Sequence, residues 1–286
     1  MEPKPDYTTK IETGAWPHYG GSYRLVRDLL RLLPPDTSKI VEAFCGSAVF
    51  SLNAPWLPRV VNDKNDDVIH LLRVIYERPL ELQHALDLTA YHRSEFAAST
   101  LPIPADCDRI SKCGDIERAR RIFVRFGMAR GGGGQEVKPH DWGRSLSSVT
   151  QRGMMSSVGK FRSRISRLDR VAARLNGVQF ESGDFAKLGC YDGEKVFWFF
   201  DPPWEPETRV EGAQERYELE FLPEDYGRLI RFARGRRGRV LVIGYDGGLM
   251  ADGLADWNQV DFEITLSAGQ GRGKRRVVGW RNWSVK

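Results

Sequence analysis

The stretch KIVEAFCGSAVFSLNAPWLPRVVNDKNDDVIHLLRVI (39–75) decides the fold class. KIVEAF (39–44) is short, apolar and β-branched, the signature of a buried strand. CGSAVFSLNA follows as a small-residue turn entering a helix, and RVVND (59–63) is a second buried strand with an acidic end. NDDVIHLLRVI (65–75) opens with carboxylates suited to a helix N-terminus and continues with helical apolar spacing. Strand, turn, helix, strand, helix is the opening of a parallel α/β sheet.

Outward from this stretch, LVRDLLRLLP (25–34) has helical spacing and stops at Pro34-Pro35. Downstream, residues 80–130 are predicted as helices with polar breaks, including IERARRIFVRFGMAR. Four consecutive glycines (131–134) in RGGGGQEVKPHDWGRS forbid a regular helix and predict a mobile basic loop. From Lys160 to Leu175, Phe161, Ile165, Leu168, Val171 and Leu175 mark one packed face, and Arg162, Arg164, Arg167, Arg170 and Arg174 fill the gaps. The α/β pattern then resumes with GVQFES (177–182), VFWFF (196–200), a helix over 222–233 and the strand RVLVIGYD (239–246). DFEITLS and RRVVGW, separated by glycine-rich AGQGRGK, predict a closing hairpin. The expected organisation is a discontinuous α/β core (1–85 and 175–286) carrying a helical, basic insertion (86–174).

Composition narrows the class. The 286 residues are 41% apolar and 28% charged, excluding a disordered chain, a coiled coil or a collagen-like rod. No apolar run approaches the roughly 20 residues of a membrane helix, and the start, MEPKPDYTTK, lacks the apolar core of a signal peptide. The expectation is a soluble cytoplasmic protein of a bacterium, archaeon or phage, without membrane association. The four cysteines and five histidines show no metal-ligand spacing, so no metal is expected. Net charge is +5, yet residues 111–174 hold fifteen Lys or Arg against five Asp or Glu. That block suits a polyanion-facing module as well as it suits a solvated helical surface.

Two segments carry candidate chemistry. Asp201-Pro202-Pro203-Trp204 stands at the carboxyl end of an apolar strand, where open α/β sheets bind ligands. A carboxylate beside a proline-fixed carbonyl offers two acceptors in fixed geometry, suited to the two protons of an amino group. The Trp204 ring offers a flat face for a base. The second segment is Glu42-Ala43-Phe44-Cys45-Gly46-Ser47-Ala48, a turn that lets a ligand approach the backbone. Its single glycine gives little support to a nicotinamide dinucleotide. Asp63, seventeen residues beyond Gly46, stands where a carboxylate binds ribose hydroxyls, and equally where one caps the helix opening near Asn65.

Taken in order, HYGGS (18–22), VEAFCGSAVFSLN (41–53), VNDKN (61–65), the basic insertion, ESGDF (181–185), FFDPPW (199–204) and LSAGQGRGKRR (266–276) resemble the Dam-like family of N6-adenine DNA methyltransferases. The resemblance implies a Rossmann-like methyltransferase sheet, mostly parallel with a closing antiparallel hairpin, and the cofactor S-adenosylmethionine. It implies DNA as the partner, double-stranded, with the target adenine flipped out. His18, Tyr19, Gly20, Gly21, Glu42, Phe44, Cys45, Gly46, Ser47 and Asp63 would surround the cofactor, with Asp184 and Phe185 beside its adenine and Asp201 at its methyl. Asp201 and the Pro202 carbonyl would bind the target amine, with Pro203 fixing the turn and Trp204 stacking on the base. Arg125, Arg130, Lys138, Arg144, Arg152, Arg272 and Lys274 are the DNA-binding candidates. The family's usual aromatic residue and Lys around the first glycines are here His18 and Ser22. Two alternatives stand beside this reading: an RNA adenine methyltransferase, and a non-catalytic nucleic-acid-binding protein that retains the fold.

Overall fold

The computed structural model describes residues 11–18, 22–101, 112–130, 132–133, 137–144, 148–150, 153–209, 218–265 and 274–284. Tyr19, Gly20, Gly21, Arg152 and Arg272 lie outside these residues, as does most of the 266–276 turn. Helix α1 (Val26–Arg31) leads into β1 (Lys39–Glu42), α2 (Val49–Asn53), β2 (Arg59–Asp63) and α3 (Asp66–Glu77). Helices α4 (Pro79–Asp87), α5 (Arg93–Ser99), α6 (Lys112–Met128), α7 (Ser156–Ile165) and α8 (Leu168–Leu175) follow. The chain then returns as β3 (Val178–Ser182), β4 (Val196–Phe200), α9 (Pro223–Arg234), β5 (Arg239–Tyr245), α10 (Gly248–Gly253), β6 (Asn258–Thr265) and β7 (Lys274–Arg281).

The seven strands form one sheet in the order β3-β2-β1-β4-β5-β7-β6, with β1 to β5 mutually parallel and β7 antiparallel to both β5 and β6. This is the α/β, Rossmann-like sheet with a closing hairpin. The central strands are buried on both sides, as their unbroken apolar sequences require. The order reverses between β1 and β4, placing a crevice outside their carboxyl ends. Asn62 spans that edge, its side-chain amide donating to the Ala43 carbonyl at 2.9 Å and the Gly183 carbonyl at 3.0 Å.

The helical stretch is fastened to the sheet by apolar packing and by ion pairs. Phe123, Phe126, Phe161, Leu168 and Val171 share one core with Val68, Leu71 and Leu72 of α3. Arg118 and Arg125 of α6 pair with Asp66 and Asp67 at the start of α3, at 2.5–2.8 Å. The Lys160–Leu175 periodicity belongs to two helices, because the chain breaks at Ser166-Arg167 between α7 and α8. Three of its arginines serve neighbouring helix ends, where carbonyls lack intrahelical partners. Arg162 donates to the Leu86, Asp87 and Thr89 carbonyls, Arg164 to Gly127, and Arg174 to Leu52 and Ala54.

The glycine-rich segment departs from the mobile loop that its composition predicts, at least over its described part. The Gly133 amide donates to the Pro17 carbonyl at 2.8 Å, and Gly133 bridges His18. A Cβ on Gly133 would lie 2.5 Å from the Phe126 ring, and one on Gly132 (φ +92°) would strike the Pro17 carbonyl. Glycine is required here for close approach, not for looseness. Among the described residues, no helix is long and apolar enough to cross a membrane.

Candidate active site

A cleft opens at the carboxyl edge over β1, β2 and β4. Its walls include Ser22, Glu42, Gly46, Asp63, Asp201 and Glu218. Glu42 ends β1 and is buried; its carboxylate accepts the Ser51 amide of α2 at 3.0 Å. Burial raises its pKa to about 8, with Asp201 adding to the rise. Gly46 (φ +48°) donates its amide to Asp63 at 3.0 Å, and the other Asp63 oxygen accepts the Asn65 amide at 2.9 Å. Asp63 therefore pins the β1–α2 turn from β2, and burial lifts its pKa to about 6. The cap of α3 is Asn65, which accepts the Asp67 amide at 3.0 Å. The His18 ring lies over Gly46, where a Cβ would sit 2.7 Å from it. Burial pushes the His18 pKa down to about 4, so the ring is neutral near pH 7.

Asp201 follows β4 directly. One of its oxygens accepts the Trp204 indole N–H at 3.0 Å, and it also accepts a hydrogen bond from the Ser22 side chain. Burial raises its pKa to about 7 against these two donors. The carbonyls that follow are already engaged. Tyr226 donates to Pro203 at 3.0 Å, and Arg209, itself clamped by Glu220 at 2.6–2.7 Å, donates to Trp204 at 2.6 Å. Pro202, directly after Asp201, is buried, and its carbonyl accepts no hydrogen bond among the described residues. Glu205 holds the next turn, accepting the Leu249 and Met250 amides at 2.8 Å.

Of the sequence-predicted residues, His18, Glu42, Phe44, Cys45, Gly46, Ser47, Asp63, Asp201 and Pro203 meet in this cleft. Pro202 and Trp204 line a neighbouring small cleft with Tyr245, whose ring meets Trp204 edge-on at 4.2 Å. Asp184 and Phe185 are not brought into the main cleft. Asp184 caps the 3₁₀ turn Phe185–Tyr191 and pairs with Arg228 at 2.9 Å, while Phe185 is buried against Phe44, Phe221 and Phe232. Sequence reasoning missed Lys64, Asn65, Glu218 and Phe221, which also line the cleft. Lys64 and Asn65 were signalled by their place after a strand-end carboxylate. Glu218, bonded to the Asn65 amide at 2.8 Å, arrives from a segment with no local motif. Of the DNA-binding candidates, Arg130, Lys138 and Arg144 are exposed beside the docked glycines, whereas Arg125 is committed to Asp67. Lys274 lies on β7 at the hairpin. No group of three His, Cys, Asp or Glu gathers for a metal among the described residues.

Comparison with known proteins bears first on the N-terminal part of this arrangement. Residues 18–126 match the profile of the D12 class N6 adenine-specific DNA methyltransferases. That similarity, confined to residues 18–126, points to adenine-specific DNA methylation with a methyl donor. The chain is 24% identical over 219 residues to the type II methyltransferase M1.LlaDCHI of Lactococcus lactis subsp. cremoris, covering 73% of this chain and 72% of that protein. It is 24% identical over 251 residues to the DNA N-6-adenine-methyltransferase of Escherichia phage P1, covering 85% of this chain but 31% of the phage protein. The segment 201–204 lies beyond the profile match.

Proposed function

We propose that this chain transfers a methyl group from S-adenosylmethionine to the N6 amino group of adenine in double-stranded DNA, with the adenine extruded into the cleft beside Asp201. The observation that carries this reading is the Asp201 carboxyl set in the same crevice as Glu42, Gly46 and Asp63, with the Pro202 carbonyl next to it in the chain. The cleft's chemistry fits the donor. Among the described residues, Glu42, Asp63, Asp201 and Glu218 line it beside the single cation Lys64, an acceptor-rich wall whose buried carboxyls would ionise more readily beside a molecule bearing a sulfonium and an ammonium. When bound, S-adenosylmethionine supplies an electrophilic methyl carbon on positively charged sulfur.

The residues supply the rest. Glu42 and the β1–α2 turn would hold the cationic amino-acid end, and Asp63 would accept from ribose hydroxyls with the lone pairs its two amide bonds leave. His18, neutral, covers the turn. Asp201 and the Pro202 carbonyl would each accept one proton of the adenine amino group. That draws the nitrogen lone pair out of ring conjugation and aims it at the methyl carbon. The new C–N bond leaves nitrogen with one surplus proton, and Asp201, with a pKa near 7, can receive it. Trp204 would present its ring to the extruded base, worth about 1–3 kcal/mol in such stacks. The segment 86–174 would serve as the target-recognition module, with Arg130, Lys138 and Arg144 facing DNA at the rim of the cleft.

The test is tritium transfer from labelled S-adenosylmethionine to duplex DNA and to RNA of matched sequence, with the product nucleoside identified. Methylated adenine in DNA alone supports the proposal. Transfer to RNA alone assigns the chain to the RNA enzymes, and cofactor binding without transfer to either leaves a binding protein.

A further inference from the structure

Four further arginines converge on one place. Between the start of α1 and the start of α8 lies a crevice of about 370 Å³, lined by Tyr23, Arg24, Arg27, Arg167 and Arg170, with Glu12 and Thr13 at its floor. Arg27, Arg24 and Tyr23 are exposed on one wall. On the other, Arg167 anchors itself to the Thr13 hydroxyl and to the Ser163 carbonyl at 2.9 Å, while Arg170 stands half exposed, 3.7 Å from Glu12. Among the described residues, four guanidinium groups and one carboxylate line this crevice. Burial lowers the Arg167 pKa, with the Glu12 charge opposing the fall and the weaker Arg170 charge adding to it.

The crevice adjoins the active-site cleft through both walls. Tyr23 and Arg24 directly follow Ser22, whose side chain bonds Asp201, so their Cα atoms lie within about 8 Å of that of Ser22. Thr13 leads along the chain to Trp16 and His18, over the Gly46 turn. An adenine drawn into the cleft leaves its sugar and phosphates outside, and the strand that carries them must run along a rim of this kind. Planar, five-donor guanidinium groups match phosphate oxygens in pairs.

We propose that this crevice binds the phosphodiester backbone of the DNA strand beside the extruded adenine, a contact surface separate from the glycine-rich segment. The proposal rests on the DNA-methylating reading given above. Each phosphate neutralised contributes about 0.9 to the slope of log affinity against log salt. Arg27→Ala with Arg170→Ala removes two exposed cations that bear on neither Asp201 nor the cofactor turn. The double variant should bind fluorescent duplex DNA with a slope shallower by about 1.8 and with affinity roughly tenfold lower per lost contact at 0.1 M salt. The loss should be equal on unrelated duplex sequences, because phosphates carry no base identity. S-adenosylmethionine affinity by calorimetry should not change, and Arg27→Lys with Arg170→Lys should restore most of the slope. A wild-type slope in the double variant overturns the proposal, as does a loss confined to one sequence. Wild-type methyl transfer, measured alongside, separates the two ideas. Transfer to DNA with an unaltered slope removes the crevice alone; no transfer with a flattened slope removes the enzymatic reading and keeps the crevice. A wild-type chain that binds no DNA overturns both.

Discussion

Replacing Trp204 by Phe separates two properties that the indole combines. The phenyl ring keeps an aromatic face for a base and loses the N–H that reaches Asp201 at 3.0 Å. A hydrogen bond to a charged acceptor is worth about 1.5–3 kcal/mol, and one pKa unit corresponds to about 1.4 kcal/mol. Losing the donor should therefore raise the Asp201 pKa by about one to two units above its value near 7. If the ionised carboxylate is the form that engages the amine, the active fraction at pH 7 falls from about one half to between one tenth and one hundredth. Turnover at pH 7 should drop about fivefold to fiftyfold and recover towards the wild-type rate above pH 9. Single-turnover tritium transfer between pH 6 and 9.5 reads this directly, with calorimetry showing that the cofactor still binds. Extrusion of 2-aminopurine placed at the target, followed by fluorescence, reports stacking apart from chemistry. A Trp204→Phe enzyme that loses rate equally at every pH, or loses none, refutes the assignment of Trp204 as a positioning donor to Asp201.

Three further outcomes are expected. Asp63→Ala removes the acceptor for the Gly46 and Asn65 amides and should weaken S-adenosylmethionine binding by roughly 10- to 100-fold in calorimetry; full affinity in a folded variant would leave Asp63 as a turn fastener only. Glu42 and Asp201 bind protons more tightly folded than unfolded, since burial raises them from 4.5 to about 8 and from 3.8 to about 7. Their contribution to stability is complete below pH 4 and is lost progressively as pH climbs from the unfolded values to the folded ones, so the melting temperature of the ligand-free protein should fall between about pH 4.5 and 8 and level off above. Glu42→Gln should flatten that decline, and a melting temperature that rises over this interval in the wild type contradicts the burial argument. Gly132→Ala forces a side chain into φ +92° against the Pro17 carbonyl. It should slow methyl transfer at least tenfold through displacement of the His18 segment, whereas Gly153→Ala, at φ +72° with open space around it, should strain only its own turn and leave the rate within twofold.

The parallel core was legible because its strands are buried on both faces and therefore written as unbroken apolar runs. RVVND (59–63) and VFWFF (196–200) begin and end where the sequence places them. The helical stretch was legible in kind but not in detail. Arg167 interrupts the 160–175 helix at a point where the apolar spacing continues smoothly, since two helices bent around one core keep nearly the same period. The cationic face of that stretch left two readings open for a physical reason. A long guanidinium reaches several ångströms, and whether it ends on a phosphate or on a stranded helix carbonyl depends on which helix end lies opposite. Arg162, Arg164 and Arg174 end on carbonyls, a fact no local pattern encodes. At the site, strand-end carboxylates and the glycine turn announced themselves by position. Glu218 and Phe221 did not, because they enter the cleft through chain topology and not through spacing.

On the proposed reading, the electrostatics of the cleft bear on why the Asp201 carboxyl is supported by neutral donors. A lysine paired with Asp201 would hold it ionised at every physiological pH and leave it a poor acceptor for a proton. A serine and an indole N–H orient the same carboxyl while adding no charge, so burial is free to bring its pKa close to 7. In the proposed reaction, transfer of the methyl group would remove the positive charge from the donor and leave a surplus proton on the target nitrogen, so a cation facing Glu42, Asp63 and Asp201 would be lost at the moment a proton needs an acceptor. A carboxyl poised near neutrality takes that proton and lowers the negative charge of the cleft by one. The product state thereby regains the charge balance that the reactant state had, with the proton kept inside the cleft. Ser22 in the place of the family's usual lysine is consistent with this division of labour: orientation from uncharged donors, and charge compensation from the substrate itself.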